Sequence, residues 1–258
     1  MSLDHAFGAL SAQAVLHAWE QAQGLPPQQR ALALLQMAWP DVAPQRWGTL
    51  PLGARDARLF TLFEALFGPA LETLVDCPAC GEALELSLHT ADVRPELRPD
   101  DEVAEQPRLQ CDGYELDYRL PGSDDLIAVQ QAAGDAGAAV RQLIGRCVLH
   151  ARQAGQPIAP QALPPAVVER LQQDMAQRDP GADIRIALSC PACGHGFERR
   201  FDIGDYLWQE LEDWAERTLA EVHALACAYG WSEPVVLSLS AMRRRRYIAM
   251  VQQSAVPA

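Results

Sequence analysis

The amino-acid sequence predicts an α+β fold that is mainly helical. Three observations lead to this fold class: helical periodicity at both ends of the chain, strand-like alternation around two copies of Cys-Pro-Ala-Cys-Gly, and a long mixed stretch between those copies. The chain has 258 residues, of which 49% are hydrophobic. It is therefore long enough to bury a substantial core.

Residues 1–70 are predicted to form an N-terminal helical region. Apolar side chains recur at helical spacing over 7–21, and the glycine and prolines that follow would end this helix. Two further helices are expected. One covers 28–39 and is stopped by Pro40. The other begins after Pro51, runs to Phe67 and is stopped by a Gly-Pro pair.

Strand patterns surround both copies of the cysteine pentapeptide. Apolar and polar residues alternate before and after each copy, over 71–75, 83–88, 184–188 and 197–201. Each copy is therefore predicted to lie at the turn of a β-hairpin. The repetition of strand, pentapeptide and strand indicates an internal repeat.

An insertion of α/β character, covering about 92–182, is predicted between the two hairpins. The sequence favours an exposed loop over 94–108 and a strand over 114–120. Helices are expected over 123–178, and the middle helix carries Val148 in its apolar stripe.

The hairpins and the insertion together make up the predicted region 71–204. Residues 205–258 form the predicted C-terminal region, with a long helix followed by short ones. The long amphipathic pattern spans 206–229 and ends at Gly230, a residue typical of helix C-termini.

Cys77, Cys80, Cys190 and Cys193 have the spacing of metal ligands. Two cysteines separated by two residues in a tight turn can bind one zinc ion at about 2.3 Å, and thiolate sulfur favours zinc over magnesium or calcium. We predict one structural zinc per chain, bound by all four, in a zinc ribbon that the insertion splits. The two pairs lie 113 positions apart, whereas a compact ribbon separates them by about 15–20.

Two other interpretations of the cysteine pairs stay open. One is a thioredoxin-like redox pair. The other is reduced cysteines in two turns that have lost the ability to bind metal. His195 follows the second pair closely enough to replace a cysteine ligand. His223 and Cys227 could face one metal ion, although packing beside the apolar stripe of the long helix is the favoured interpretation. The two remaining cysteines, Cys111 and Cys147, are expected to be small buried apolar residues.

Composition and motifs favour a binding protein over an enzyme. The sequence lacks a phosphate-binding loop, a dinucleotide fingerprint and a Gly-x-Ser-x-Gly elbow, and a closed four-thiolate shell leaves no position for a substrate. The net charge of -13 repels phosphate backbones and anionic lipids, so protein partners are expected. No signal peptide or membrane-spanning run is visible, which predicts a cytoplasmic protein.

Several stretches resemble baseplate proteins of contractile tails. They are Leu-Pro-Leu-Gly-Ala-Arg-Asp-Ala-Arg-Leu at 50–59, Leu-Phe-Gly-Pro at 66–69, both cysteine pentapeptides, Leu207-Trp208, Tyr-Gly-Trp-Ser-Glu at 229–233 and Arg246-Tyr247. Over nearly its whole length the chain resembles the hub subunits and hub-assembly chaperones of T4-like phages, as found in contractile injection systems.

This resemblance implies a non-enzymatic protein that forms part of the baseplate or helps to build it, where spike and hub meet the tail tube. Its implied partners are other baseplate, hub or spike proteins. The resemblance leaves open whether the protein stays in the finished particle. Family members are not all zinc proteins, so the metal prediction depends on this sequence alone. The alternative is a zinc-ribbon nucleic-acid-binding or transcription-associated adaptor, supported by Arg199, Arg200 and the arginine run 243–246.

Overall fold

The computed structural model describes residues 10–94, 106–132 and 135–254, which have mixed α and β structure and are mainly helical. The chain divides into two compact units. One contains the described residues of Val42–Gly204, and the other contains those of Ala6–Asp41 and Asp205–Ala258. In the described ranges, no helix has the length and apolar character needed to cross a membrane.

The first unit begins with α3 (Pro44–Thr49) and α4 (Leu52–Phe67). Two helices of the other unit, α1 (Ala12–Ala22) and α2 (Pro27–Ala38), precede them in the chain. Pro51 precedes α4, and the helix ends at Gly68, whose φ of 88° only glycine adopts readily. Phe60 is fully buried and its ring stacks on Phe201 at a centroid distance of 6.0 Å. The apolar stripe of α4 thus belongs to the core of this unit.

Two antiparallel hairpins carry the cysteine pentapeptides at their turns. Strands β1 (Ala70–Asp76) and β2 (Ala83–His89) form the first hairpin, in which Asp76 pairs with Ala83. Strands β7 (Ile184–Ser189) and β8 (Gly196–Phe201) form the second, in which Ser189 pairs with Gly196. The same register relative to the cysteines confirms the repeat predicted from the sequence.

The segment between the hairpins holds a four-stranded antiparallel sheet in the order β3-β4-β5-β6, with helices packed on it. Its strands are β3 (Arg108–Cys111), β4 (Tyr114–Tyr118), β5 (Val148–Gln153) and β6 (Gln156–Pro157). Its helices are α5 (Thr90–Val93), α6 (Ser123–Gln131), α7 (Ala136–Cys147) and α8 (Pro165–Arg178). Leu116, Ile144 and Leu171 bring strand and helices into one buried core.

The start of α4 is bonded to this sheet-and-helix segment at two places, the first residue of α6 and the residue after α8. The backbone N–H of Gly53 donates to the Asp179 carboxylate at 3.0 Å, and the Arg55 guanidinium donates to the Ser123 hydroxyl at 3.1 Å. A Cβ atom at position 53 would lie 2.0 Å from an Asp179 carboxylate oxygen, so a larger residue there would displace this carboxylate. These bonds hold two distant parts of the segment against one helix.

The second unit is helical. Its helices are α1 (Ala12–Ala22), α2 (Pro27–Ala38), α9 (Ile203–Tyr229), α10 (Glu233–Ser238) and α11 (Ala241–Ser254), of which α9 begins two residues before the unit does. Leu16, Leu225 and Val236 from three of these helices pack into one buried cluster. Gly230 ends α9 with a φ of 68°, and its N–H donates to the carbonyl of Ala226, which confirms the predicted cap.

Several sequence predictions were wrong in detail. Val148, which we expected on a helix, begins β5, because residues 148–153 pair with β4 and are needed to complete the sheet. The strand β3 and the short helix α3 were not predicted from the sequence. The start of the first helix at Phe7 and most of the loop 94–108 lie outside the described residues. The division into 1–70, 71–204 and 205–258 stays a prediction about chain segments, whereas the two units group residues by contacts in space.

Candidate metal centre

The two cysteine turns have the same backbone hydrogen bonds. In the first turn the N–H of Cys77 donates to the Glu82 carbonyl, and the N–H of Gly81 donates to the Cys77 carbonyl, both at 2.9 Å. In the second turn Cys190 and Gly194 repeat these bonds at the same distances. Each turn ends on a glycine with positive φ, 75° at Gly81 and 73° at Gly194, a conformation that a residue with Cβ adopts at a cost.

The fold brings the four cysteine sulfurs into one cluster. The Sγ atoms of Cys77 and Cys193 are 3.8 Å apart, those of Cys80 and Cys190 are 3.7 Å apart, and all four lie within 4.8 Å of one another. Both short distances join one hairpin to the other. A disulfide needs about 2.05 Å between sulfurs, whereas the edge of a tetrahedron with zinc–sulfur bonds of about 2.3 Å is about 3.8 Å. The four cysteines could therefore hold one metal ion.

The cluster has a buried side and an exposed side. Cys77 and Cys190 are 2% and 1% exposed, and they pack with Leu84 and Phe197, whereas Cys80 and Cys193 are exposed. A cation would be shielded by apolar side chains on one side and would face solvent on the other. The pairs lie in hairpin turns and not at helix N-termini, which disfavours the thioredoxin-like interpretation.

Local hydrogen bonds change the acidity of the thiols. Burial raises the pKa of Cys77, but bonds from the backbone N–H groups of Ala79 and Cys80 outweigh it and bring this pKa to about 7. A backbone bond at Glu82 lowers the pKa of Cys80, but the neighbouring thiols, Cys193 first among them, raise it to about 12. The first turn thus favours a thiolate at Cys77, the form in which cysteine binds metal ions.

The sequence did not predict one contact that joins the hairpins beside the cluster. The Arg199 guanidinium on β8 donates to the backbone carbonyl of Asp76 on β1 at 3.0 Å. Arg200 forms ion pairs with Asp183 and Asp202, near the ends of its own hairpin. Arg199 and Arg200, which supported the nucleic-acid alternative together with the arginine run 243–246, therefore have local partners. The only sequence signal for the contact of Arg199 with the other hairpin was its position shortly after the second cysteine pair.

Replacing Arg199 with alanine is expected to lower the free energy of unfolding by about 1 kcal/mol, because one exposed hydrogen bond between the hairpins is lost. Metal content should not change, since Arg199 supplies no sulfur. Urea unfolding and metal analysis of the purified variant measure both quantities. Arg200→Ala is the matched control, and its exposed ion pairs predict a smaller loss. An equal loss in the two variants would contradict a bridging role for Arg199.

The other candidate ligands do not join the cluster. His195 lies in the second turn, where its ring stacks near Phe197 at 6.1 Å. His223 and Cys227 are exposed on α9 with 3.8 Å between Nε2 and Sγ, so the expected packing beside the apolar stripe was wrong. Among described residues only the four clustered cysteines form a group of three or more potential metal ligands. Cys147 is buried in the core of the sheet segment, as predicted, whereas Cys111 is only half-buried and packs against that core.

A family model described as T4 bacteriophage base plate protein matches residues 34–208, more than half of the chain. The chain belongs to this family. The matched part of the base plate protein includes both cysteine turns and the whole segment between them. No curated protein and no solved structure gave a significant match.

Proposed function

We propose that this base plate protein is a non-enzymatic hub component or hub-assembly chaperone of a contractile tail, in a phage or a phage-tail-like injection system. The observation that carries the proposal is the family match over 34–208. The hub assignment has further support in the sequence stretches that resemble hub subunits and their chaperones. Its partners would be other baseplate, hub or spike proteins, and the net charge of -13 favours proteins over nucleic acid or membranes.

We further propose that Cys77, Cys80, Cys190 and Cys193 bind one zinc ion in a zinc ribbon split by the insertion. The support is the tetrahedral spacing of the sulfurs and the preference of thiolates for soft metal ions. The bound ion would neutralise thiolate charge and cross-link the hairpins. Because four protein ligands fill a tetrahedral shell, the role would be structural.

The zinc cross-link would fix the ends of a long chain segment. Cys77 and Cys190 are 113 positions apart, and closing so long a loop is costly for an unfolded chain. The bonds of α4 to Asp179 and Ser123 fix the same segment from a second side. A segment fixed in this way would present a rigid surface to a partner, which suits a protein that positions others in an assembly.

Deleting the gene is expected to abolish complete tails, because the proposed role makes this protein a part of the base plate or a factor that builds it. Electron microscopy of particles from deleted and complemented cells measures this. Mass spectrometry of purified particles then separates the two roles: a hub component is present in a fixed ratio, and an assembly chaperone is absent. Cells complemented with the Asp124→Ala variant, which changes one exposed side chain, are the control. Normal tails in the deletion strain would overturn the proposal.

The second candidate function is a zinc-ribbon nucleic-acid-binding adaptor. It is favoured by the exposed side chains of Arg243, Arg245 and Arg246 on α11. A duplex-DNA titration at increasing salt tests it, because binding through phosphates weakens steeply as salt rises. Binding that is lost on reversing these charges would favour the adaptor over the hub protein.

A further inference from the structure

The exposed side of the first cysteine hairpin carries a leucine among carboxylates. Leu74 on β1 is 68% exposed. Glu72 and Asp76 lie two residues before and after it, so their side chains project from the same side of the strand. Glu85 on β2 pairs directly with Leu74, which places it on this side as well. All four residues are exposed, and we name them the acidic face.

No arginine or lysine shares this side of the hairpin on either strand. The other strand residues that project the same way are Ala70, Ala83, Ser87 and His89. Asp76 and Glu85 are diagonal neighbours, about 7–8 Å apart in such a sheet, and neither carboxylate forms an ion pair with a described residue. Arg199 of the second hairpin bonds to the backbone carbonyl of Asp76 and to neither carboxylate. Repulsion between these like charges costs stability, and a cationic partner would remove that cost.

The second hairpin shows that the hairpin fold itself does not require the acidic face. The two hairpins have the same register, so residues 113 positions apart are structurally equivalent. Ala187 stands where the first hairpin has Leu74. Glu198, the equivalent of Glu85, forms an ion pair with Arg185 of its own hairpin at 3.9 Å. An isolated exposed leucine is common on protein surfaces, whereas a leucine among carboxylates in only one of two equivalent hairpins indicates a binding surface.

We propose that the acidic face binds a basic segment of another base plate protein, in which an apolar side chain lies between arginine or lysine residues. The apolar side chain packs on Leu74, and the cations pair with Asp76 and Glu85. These pairs are charge-assisted hydrogen bonds, and removing the leucine from water adds an apolar contribution.

The charge of the chain favours a different protein over a second copy as the occupant. The net charge of -13 makes two copies repel each other, whereas it attracts a basic partner. The carboxylates of the acidic face likewise repel the phosphates of a nucleic acid. This inference rests on the proposed function, because that function makes other base plate proteins the partners.

Photo-cross-linking in tail-producing cells tests the docking of a basic segment. The gene-deletion strain is complemented with a chain that carries photoreactive benzoylphenylalanine in place of Leu74, and the cross-linked peptide is identified by mass spectrometry. We expect an adduct with another protein, at a segment where arginine or lysine flanks the cross-linked residue. Benzoylphenylalanine in place of Ala187, at the equivalent exposed site of the second hairpin, is the control and should not give this adduct.

Charge reversal in the cross-linking chain tests the role of the carboxylates. Adding Glu85→Arg should reduce the yield of the adduct at least about tenfold, because attraction to the basic segment becomes repulsion. Glu198→Arg makes the same change at the equivalent position of the second hairpin and should leave the yield unchanged. Both positions are exposed, so both purified variants should keep the Tm of the parent chain, which shows that they are folded.

Several results would overturn the docking of a basic segment. They are an absent adduct, an adduct at a segment without basic residues, an adduct between two copies of this chain, and an equal loss of yield in the two charge-reversed variants. Gene deletion tests the proposed function separately. If deletion abolishes tails and no adduct forms, the function stands and the acidic face is not its binding surface. If the deletion strain makes normal tails, the function itself fails.

Discussion

Replacing Cys190 with serine is expected to remove zinc from the purified protein and to lower its stability more than any other single change considered. The wild-type chain should contain one zinc ion, because its four sulfurs form one cluster. A ligand present at about 1,000 times its Kd stabilises the folded state by about 4 kcal/mol. For a protein of this size, that loss lowers Tm by about 8–16 °C. Metal analysis and thermal unfolding measure the two effects.

Cys227→Ser is the matched control for this experiment, because Cys227 is an exposed cysteine of α9 outside the cluster. It should leave both zinc content and Tm unchanged. A chelator added to the wild-type chain should reproduce the Tm of the Cys190 variant. Zinc-free wild-type protein that a chelator does not destabilise would refute the metal centre and leave the family assignment untouched.

Asp125→Ala is expected to lower the free energy of unfolding by about 3 kcal/mol, because it breaks a buried ion-pair network. The Asp125 carboxylate is 2% exposed and accepts bonds from Arg119 at 2.6 and 2.8 Å and from Arg146 at 2.8 Å. It also accepts the backbone N–H of Gly122 at 3.0 Å, at the start of α6. The arginine side chains are 38% and 39% exposed, so water partly replaces the lost partner and limits the cost. Urea unfolding at neutral pH with zinc present measures the change.

The same network predicts an acid-sensitive contribution to stability. Burial raises the pKa of Asp125, but bonds from Arg119, the Gly122 N–H and Arg146 outweigh it and lower this pKa to about 2. The folded chain therefore holds the carboxylate charged at a pH where the unfolded chain has protonated it. The contribution is complete above about pH 4 and is lost as pH falls toward about 2. The wild type should lose this stability over that interval, and Asp125→Ala should not.

Asp124→Ala is the control for both measurements, because Asp124 is the exposed neighbour of Asp125 on α6. Its loss should cost less than about 1 kcal/mol, the scale of a carboxylate at a helix N-terminus. Equal effects of the two substitutions would show that helix charge, and not the arginine network, stabilises this part of the chain.

Local sequence patterns predicted the helices and hairpins because the relevant signals lie within a few residues of each other. The 3.6-residue period of apolar residues predicted α9, and Gly230 predicted its end. The alternation of apolar and polar residues predicted both cysteine hairpins. The strand β5 was missed for the opposite reason. Val148 continues the apolar stripe of α7, and only its pairing opposite Tyr118 makes the following residues a strand.

The sequence by itself determined the mainly helical α+β fold class, the repeated cysteine turns and the resemblance to base plate proteins, which the family match confirmed at that level. The tertiary structure alone showed that the sulfurs of Cys77 and Cys193 meet at 3.8 Å across the two hairpins. It also decided which arginines have partners: Arg199 bonds to Asp76, Arg244 to Glu221, and Arg246 remains exposed. The reason is physical, because spacing along the chain encodes local geometry, whereas contacts between distant segments depend on how all the elements pack together.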